Sequence, residues 1–299
     1  TRTKVQDAVA TLGYSPNFGA KVMAARRTRT IGAIIPTMEN AIFARGLQAF
    51  QEELRLHGYT MLVASTSYQP AREEEQIRTL VARGADALLL IGHARAPEIY
   101  QFLETQGVPY LVTWAYDESA PRPSVGFDNA AAMGMMARAV LSEGHRRLAM
   151  ISASTENNDR AKERQTGIRS AMKAAGLDPA SLDVIETTYA IENGAAAFAT
   201  LMARQSPPTA VFCGNDVLAV GAFRQAQELQ IKVPQEVSIV GFDDIELAQI
   251  AYPPLTTIHV PHREMGRRAA QTLVQMLNDG QPATSIALVP DLVRRGTLG

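Results

Sequence analysis

From residue 30 onward the chain alternates short apolar runs with amphipathic stretches of helical length, and few architectures tolerate that alternation. The apolar runs fall at 30–35, 59–64, 87–91, 110–113, 148–152, 184–186, 210–213 and 237–240. Helical periodicity occupies 42–57, 71–83, 97–106, 129–143, 160–175, 194–205 and 216–230, and returns at 263–277. Strand followed by helix, repeated, predicts α/β architecture with parallel sheets covered by helices on both faces. One closed eight-stranded barrel would satisfy the same count. Two segments favour two doubly wound subdomains instead. Residues 113–128 are long, proline-rich and non-helical, as a passage between domains requires. Tyr252-Pro-Pro-Leu-Thr-Thr-Ile258 is a second extended passage with a helix beyond it. A chain that crosses, builds a second unit and crosses back leaves a hinge and an interdomain cleft.

The region 214–258 says where such a cleft would bind. After the apolar run at 209–213, Asn215 and Asp216 stand where side chains cap a helix. Val217, Val220, Gly221, Phe223, Arg224 and Ala226 then recur at helical spacing. The next run, Val237-Ser-Ile-Val-Gly241, ends on Phe242-Asp243-Asp244. Polar residues at the carboxyl ends of parallel strands face the ligand crevice of open α/β sheets. Asn215 and Asp243 are therefore expected to point at one site.

Composition narrows the function classes. At 299 residues, 46% apolar and 20% charged, the chain has room for two globular domains. It holds no apolar run of membrane-spanning length, and its start lacks the apolar core of a signal peptide. The one cysteine, Cys213, forbids an internal disulfide, fits a reducing cytoplasm and reads as a buried small hydrophobe. A phosphate loop, a dinucleotide fingerprint, a G-x-S-x-G elbow, H-E-x-x-H and C-x-x-C are all missing. His57, His93, His145, His259 and His262 are scattered. His259 and His262, with Pro261 between them and no carboxylate nearby in sequence, make a poor metal pair. Neither catalysis nor a cofactor nor a metal is expected.

Net charge is −1, yet the first thirty residues carry six basic side chains against Asp7 alone. A basic end on an acidic body suggests an anionic partner for that end. Val5, Val9 and Leu12 read as the tail of one helix, stopped by Gly13. Tyr14-Ser-Pro-Asn opens a short second helix, with Ser15 as N-cap and Pro16 at its first position. So short a helix, carrying Gly19, is marginal alone and is expected to be stable only when bound. An apolar projection, Met23, flanked by Lys21 and Arg26-Arg27, suits wedging into a minor groove, although from these residues alone an amphipathic connector packed on the body is the first reading.

The run Asn215-Asp-x-x-Ala-x-Gly-Ala, the segment Val233-Pro-x-x-Val-Ser-x-x-Gly-Phe-Asp-Asp and the passage Pro253-Pro-Leu-Thr-Thr-Ile together resemble the lactose/galactose repressor family of bacterial transcription regulators. Val125-Gly-Phe-Asp-Asn129 with Gly134, Glu143-Gly-His-Arg-Arg, and Arg164-Gln-Thr-Gly167-Ile continue the likeness, which covers nearly all of residues 13–295. The resemblance implies two periplasmic-binding-protein-like subdomains, 30–126 with 259–284 and 127–258 with 285–299. Residues 1–29 would be the end of an all-α DNA-binding domain plus a hinge helix.

By position, Ser15, Pro16, Asn17, Ala20, Lys21 and Met23 would meet operator DNA, with Met23 where the family has leucine. The family's helix-turn-helix reader would lie ahead of Thr1. Arg164 and Asp243 would form the polar pair of an effector cleft, with Asn215 alongside. Asn158, Arg160, Ile42, Phe43, Trp114 and Tyr189 would complete it. A cytoplasmic homodimer regulated by a sugar or sugar acid is implied, the alternative being a solute-binding protein of a sugar transport system.

Overall fold

The computed structural model describes residues 2–12, 27–281 and 283–299. Ser15, Pro16, Asn17, Ala20, Lys21 and Met23, and with them the expected hinge helix, lie outside the described residues. The expected N-terminal helix tail is α1 (Arg2–Thr11).

The first subdomain runs β1 (Thr30–Ile35), α2 (Ala41–Leu56), β2 (Thr60–Ser65), α3 (Pro70–Ala82), β3 (Ala87–Ile91), α4 (Pro97–Thr105), β4 (Tyr110–Thr113) and β5 (Ser124–Gly126). The second runs α5 (Asn129–Ser142), β6 (Leu148–Ser152), α6 (Asp159–Ala174), β7 (Asp183–Glu186), α7 (Ile191–Met202), β8 (Ala210–Cys213), α8 (Asp216–Glu228), β9 (Ser238–Val240) and α9 (Glu246–Ile250). Then come β10 (Thr257–His259), α10 (His262–Asp279), β11 (Ile286–Ala287) and β12 (Asp291–Val293). The strands form two separate parallel sheets, β2-β1-β3-β4-β5-β11 and β7-β6-β8-β9, which excludes the single barrel. In each sheet the strand order reverses beside the first strand, so the carboxyl ends open a crevice there.

Two short strands differ from expectation. β5 lies inside the segment read as an interdomain passage, and the first crossing is confined to the residues after it. Ile286 and Ala287, assigned from the sequence to the second subdomain, pair with Val125 and Gly126 at the edge of the first sheet. Strands of two or three residues carry no readable period, so only tertiary pairing locates them. The last crossing therefore falls between β11 and β12, and β12 pairs antiparallel with β10.

The inner strands of each sheet are buried on both faces, which is why they read as unbroken apolar runs. Ile31, Ala33 and Ile35 face α2 and α10 through Phe50, Leu54 and Leu273. Ile34, Leu88 and Leu90 face α3 and α4 through Ile77, Leu80, Ile99 and Leu103. In the second sheet Met150 and Phe212 meet Met136, Ile168 and Met172, whereas Ile151, Val211 and Cys213 meet Phe198, Leu218 and Ala222.

Three helix pairs approach so closely that glycine is required at the contact. A β-carbon at Gly266 of α10 would strike the Gly46 carbonyl of α2. One at Gly167 would strike the backbone of Ala130 and Gly134, and one at Gly221 the Ile191 carbonyl. Gly167 and Gly221 stand in the motifs for this packing reason.

Candidate functional site

Every residue expected at the cleft follows the carboxyl end of a strand. Ile42 and Phe43 lie in the first turn of α2 after β1, and Trp114 directly follows β4. Asn158, Arg160 and Arg164 follow β6, Tyr189 follows β7, Asn215 follows β8 and Asp243 follows β9. The structure gathers all nine around one enclosed space of about 20 Å³, joined by Asn40 and Tyr68. That is room for about one water molecule.

The polar floor is built by the second subdomain. Arg164 donates from Nε to Asn129 Oδ1 at 2.9 Å and from Nη1 to the Gly214 carbonyl at 2.6 Å. Its guanidinium lies 3.8 Å over the Phe242 ring, and Nη2 stands 4.0 Å from Asp243 Oδ1. Stacking and the two hydrogen bonds thus aim one edge of the fork at Asp243. Asp243 is 2% exposed, and its Oδ1 accepts no hydrogen bond. Burial pushes its carboxyl up to about 7 against the pull of Arg164 and Arg45. Its φ of 110° and that of Asp244, 55°, are left-handed, which turns the two side chains out of the strand end. Asn215 accepts from Leu218 N at 2.9 Å as the N-cap of α8, which leaves its Nδ2 buried without a partner.

The first subdomain supplies the aromatic wall. Trp114 is 1% exposed, and its ring lies 5.3 Å from Phe43, with Nε1 unpartnered. Tyr68 meets Tyr189 across the boundary at 5.9 Å. Tyr68 also lines three outer clefts of about 760, 600 and 390 Å³, so it forms the partition between them and the inner space.

Several contacts join the two subdomains across the cleft. Asp159 accepts from the backbone N–H groups of His93 and Ala94, and Arg160 pairs with the same carboxylate at 2.9 Å. Arg45 of α2 reaches the Asp244 carbonyl at 3.3 Å and the Glu246 carboxylate. Carboxylates also approach both histidines read as lacking them: His259 Nδ1 lies 3.0 Å from Asp244, and His262 Nε2 lies 4.0 Å from Asp243. Folding back of the β9 loop produces this proximity, which local sequence does not show. Among the described residues no cluster of three or more His, Cys, Asp or Glu is arranged to hold a metal ion.

Several site residues were not singled out from the sequence as cleft residues. Tyr68 sits after the end of β2 and Asn40 caps α2; the strand-end rule applied to every strand would have reached both. Asp216 acts one layer behind. It accepts from Thr257 Oγ1 at 2.6 Å and from Ile245 N at 2.8 Å, tying the Asp243 loop to the hinge strand β10. A β-carbon at Gly241 would collide with its carboxylate, which accounts for the glycine.

Burial, then the nearby Asp243 charge, pushes Asp216 up to about 8, far above the 3.8 of an unfolded aspartate. Between those values the folded chain holds a proton that the unfolded chain has released, so stability falls as pH rises towards 8. His93, His145 and His262, all lowered chiefly by burial, act oppositely, but only below about pH 6.5. Asp243 and Glu163, each raised by burial to about 7, add to the same fall, so the melting temperature should drop by roughly 6–12 °C between pH 6.5 and 8. Asp216→Asn, whose Oδ1 accepts from Ile245 N while its NH2 donates to a turned Thr257 hydroxyl, should about halve that drop in a calorimetric pH series.

The periplasmic binding protein-like domain family matches residues 137–298. The ribose operon repressor of Haemophilus influenzae is 30% identical over 300 residues, spanning 99% of this chain and 89% of the repressor. The HTH-type transcriptional regulator GntR of Escherichia coli is 31% identical over 273 residues, spanning 91% of this chain and 82% of that protein. A solved LacI family transcriptional regulator from Silicibacter pomeroyi superposes with a TM-score of 0.83 at 27% identity, covering 90% of this chain and 98% of the other. These relatives regulate transcription, which sets aside the transport-protein alternative. With two hinged parallel-sheet subdomains and repressor relatives aligned along almost its whole length, the chain belongs to the lactose/galactose repressor (LacI/GalR) family of ligand-responsive transcriptional regulators.

Proposed function

We propose that the cleft takes a small polyhydroxylated effector, a sugar or sugar acid, and that its occupancy controls operator DNA binding through the segment 14–26. The observation that carries this reading is the convergence of unpartnered buried polar atoms on the enclosed space. Asp243 Oδ1, Asn215 Nδ2 and Trp114 Nε1 belong to residues that line it, and each lacks a hydrogen-bond partner. Each such atom costs about 1–3 kcal/mol, which a hydroxyl-rich ligand repays. Trp114 and Phe43 offer the flat apolar surface that a sugar ring covers, and Arg164 and Arg160 suit an acidic end. The ribose operon repressor among the relatives supports the sugar class.

The mechanism is a shift between open and closed subdomain arrangements. An effector touching both subdomains favours the closed one by its differential affinity. In a homodimer, that bias changes the spacing of two hinge segments and hence the free energy of folding them on DNA. Exposed Ile250 and Tyr252, 75% and 86% accessible on the second subdomain, offer apolar surface for a second copy. A coupling of about 1–3 kcal/mol would change operator occupancy by up to roughly a hundredfold. The site of action is the cytoplasm, as for any operator-binding protein.

The test is a thermal-shift screen against neutral sugars, sugar acids, sugar phosphates and purines. A sugar or sugar acid should raise the melting temperature, and Asp243→Ala should abolish the rise. Stabilisation by a purine alone, or a rise retained in the variant, would refute the reading.

A further inference from the structure

His262 opens α10 at 3% exposure, and neither of its ring nitrogens has a hydrogen-bond partner. Its Nε2 stands 4.0 Å from Asp243 Oδ1, the other unpartnered atom on that side of the cleft. This separation is too long for a direct bond, whereas one oxygen placed about 2.8 Å from each atom, off the line that joins them, would bridge them. The imidazole is held in place by stacking on Trp114, with ring centroids 6.3 Å apart and planes 26° apart. Trp114 and Asp243 both line the inner space, and His262 stands directly behind the two of them. The two partners come from different subdomains, His262 from the first and Asp243 from the second.

The chemistry of the pair selects what can bridge it. Burial and the Arg45 charge hold His262 down to about 3, so the ring is neutral and carries one N–H donor and one acceptor. A hydroxyl both donates and accepts: it can give its proton to the Asp243 carboxylate while accepting from His262 Nε2–H. A carboxylate or phosphate oxygen only accepts, and it would place a second negative charge against Asp243.

Resting on the proposed reading of the cleft, we infer that His262 and Asp243 together read one hydroxyl group of the effector. The ligand's neutral polyol end therefore seats at this pair, and any acidic end lies away from it, towards Arg160. Because the bridge joins the two subdomains, this hydroxyl also contributes directly to closure.

The test uses Trp114, the one tryptophan of the chain, as an intrinsic reporter. Its emission is followed while D-ribose, D-glucose, D-ribonate and D-gluconate are titrated into the protein. For the compound that binds the wild type best, His262→Phe, which keeps the stacked ring, should weaken binding ~10- to 100-fold. His262→Gln, which keeps an amide N–H in reach, should recover most of that loss. Asp243→Asn combined with His262→Phe should lose no more than the worse single variant, because both act on one hydroxyl. Should His262→Phe fail to fold, His262→Gln and His262→Met carry the same comparison, with only the Met variant expected to lose affinity. Wild-type binding with undiminished affinity in the Phe or Met variant, or with fully multiplicative losses, would overturn this inference alone. No response of the wild type to any of the four compounds would overturn both it and the reading beneath it.

Discussion

Arg164→Ala is expected to lower the melting temperature by roughly 10 °C and to abolish the response to effector. Its guanidinium satisfies two buried acceptors, Asn129 Oδ1 and the Gly214 carbonyl, and covers the Phe242 ring. It is also a cation beside the buried Asp243. Removing one member of a buried charged network costs about 3–5 kcal/mol, of which little is the pair's own attraction and most is the uncompensated remainder. Protonation of Asp243, already pushed up to about 7, limits that remainder but turns an acceptor needed by a hydroxyl into a donor. Lysine should not rescue, because one ammonium cannot reproduce a fork stacked on an aromatic face. Melting curves with and without sugars decide the matter: a normal melt, or a retained ligand shift, would remove Arg164 from the role given to it.

Gly266→Ala should be the most damaging single-methyl change among the helix contacts, at about 3 kcal/mol or more. The added methyl would meet the Gly46 carbonyl, a backbone atom that can yield only if α2 and α10 separate. Those helices carry Phe43 and His262, and Gly46 itself faces Trp114, to which a β-carbon would come within 2.5 Å. Loss of stability and a change in Trp114 emission should therefore appear together. Gly280→Ala is the control. Gly280 ends α10 in the left-handed region at φ 65° with nothing within 4 Å, so alanine there should cost only about 1 kcal/mol and leave the emission unchanged. Equal losses in urea titrations of the two variants would show that helix spacing is not what Gly266 protects.

Both predictions concern features seen differently by sequence and structure. The alternation of apolar runs with amphipathic stretches was enough to establish parallel sheets covered on both faces, because a strand buried on both sides must be apolar throughout. The strand-end rule then located Asn215 and Asp243, and resemblance added Arg164, Arg160, Asn158, Ile42, Phe43, Trp114 and Tyr189; all nine line one space. Effector titrations decide whether those residues bind ligand. Local patterning could not reach β5 and β11, which are too short to have a period and exist only as partners of each other and of β4. The shift of the last crossing to the stretch beyond residue 287 follows from that pairing.

Tyr68, Asp216 and His262 mark the limit most clearly. Each has an ordinary local reading: a loop tyrosine, a helix-start acid, and a histidine following a proline. Their roles arise from groups far away along the chain. Tyr68 meets Tyr189, Asp216 ties Ile245 to Thr257, and His262 stands 4.0 Å from Asp243 across the subdomain boundary. Period and composition by themselves determined which residues lie inside and which strand ends are polar, since burial of a face imposes its pattern on consecutive residues. Only the tertiary structure decided which polar groups meet at hydrogen-bonding distance and which are left without partners, since a separation of a few ångströms is set by how two independently folded sheets close on their hinge.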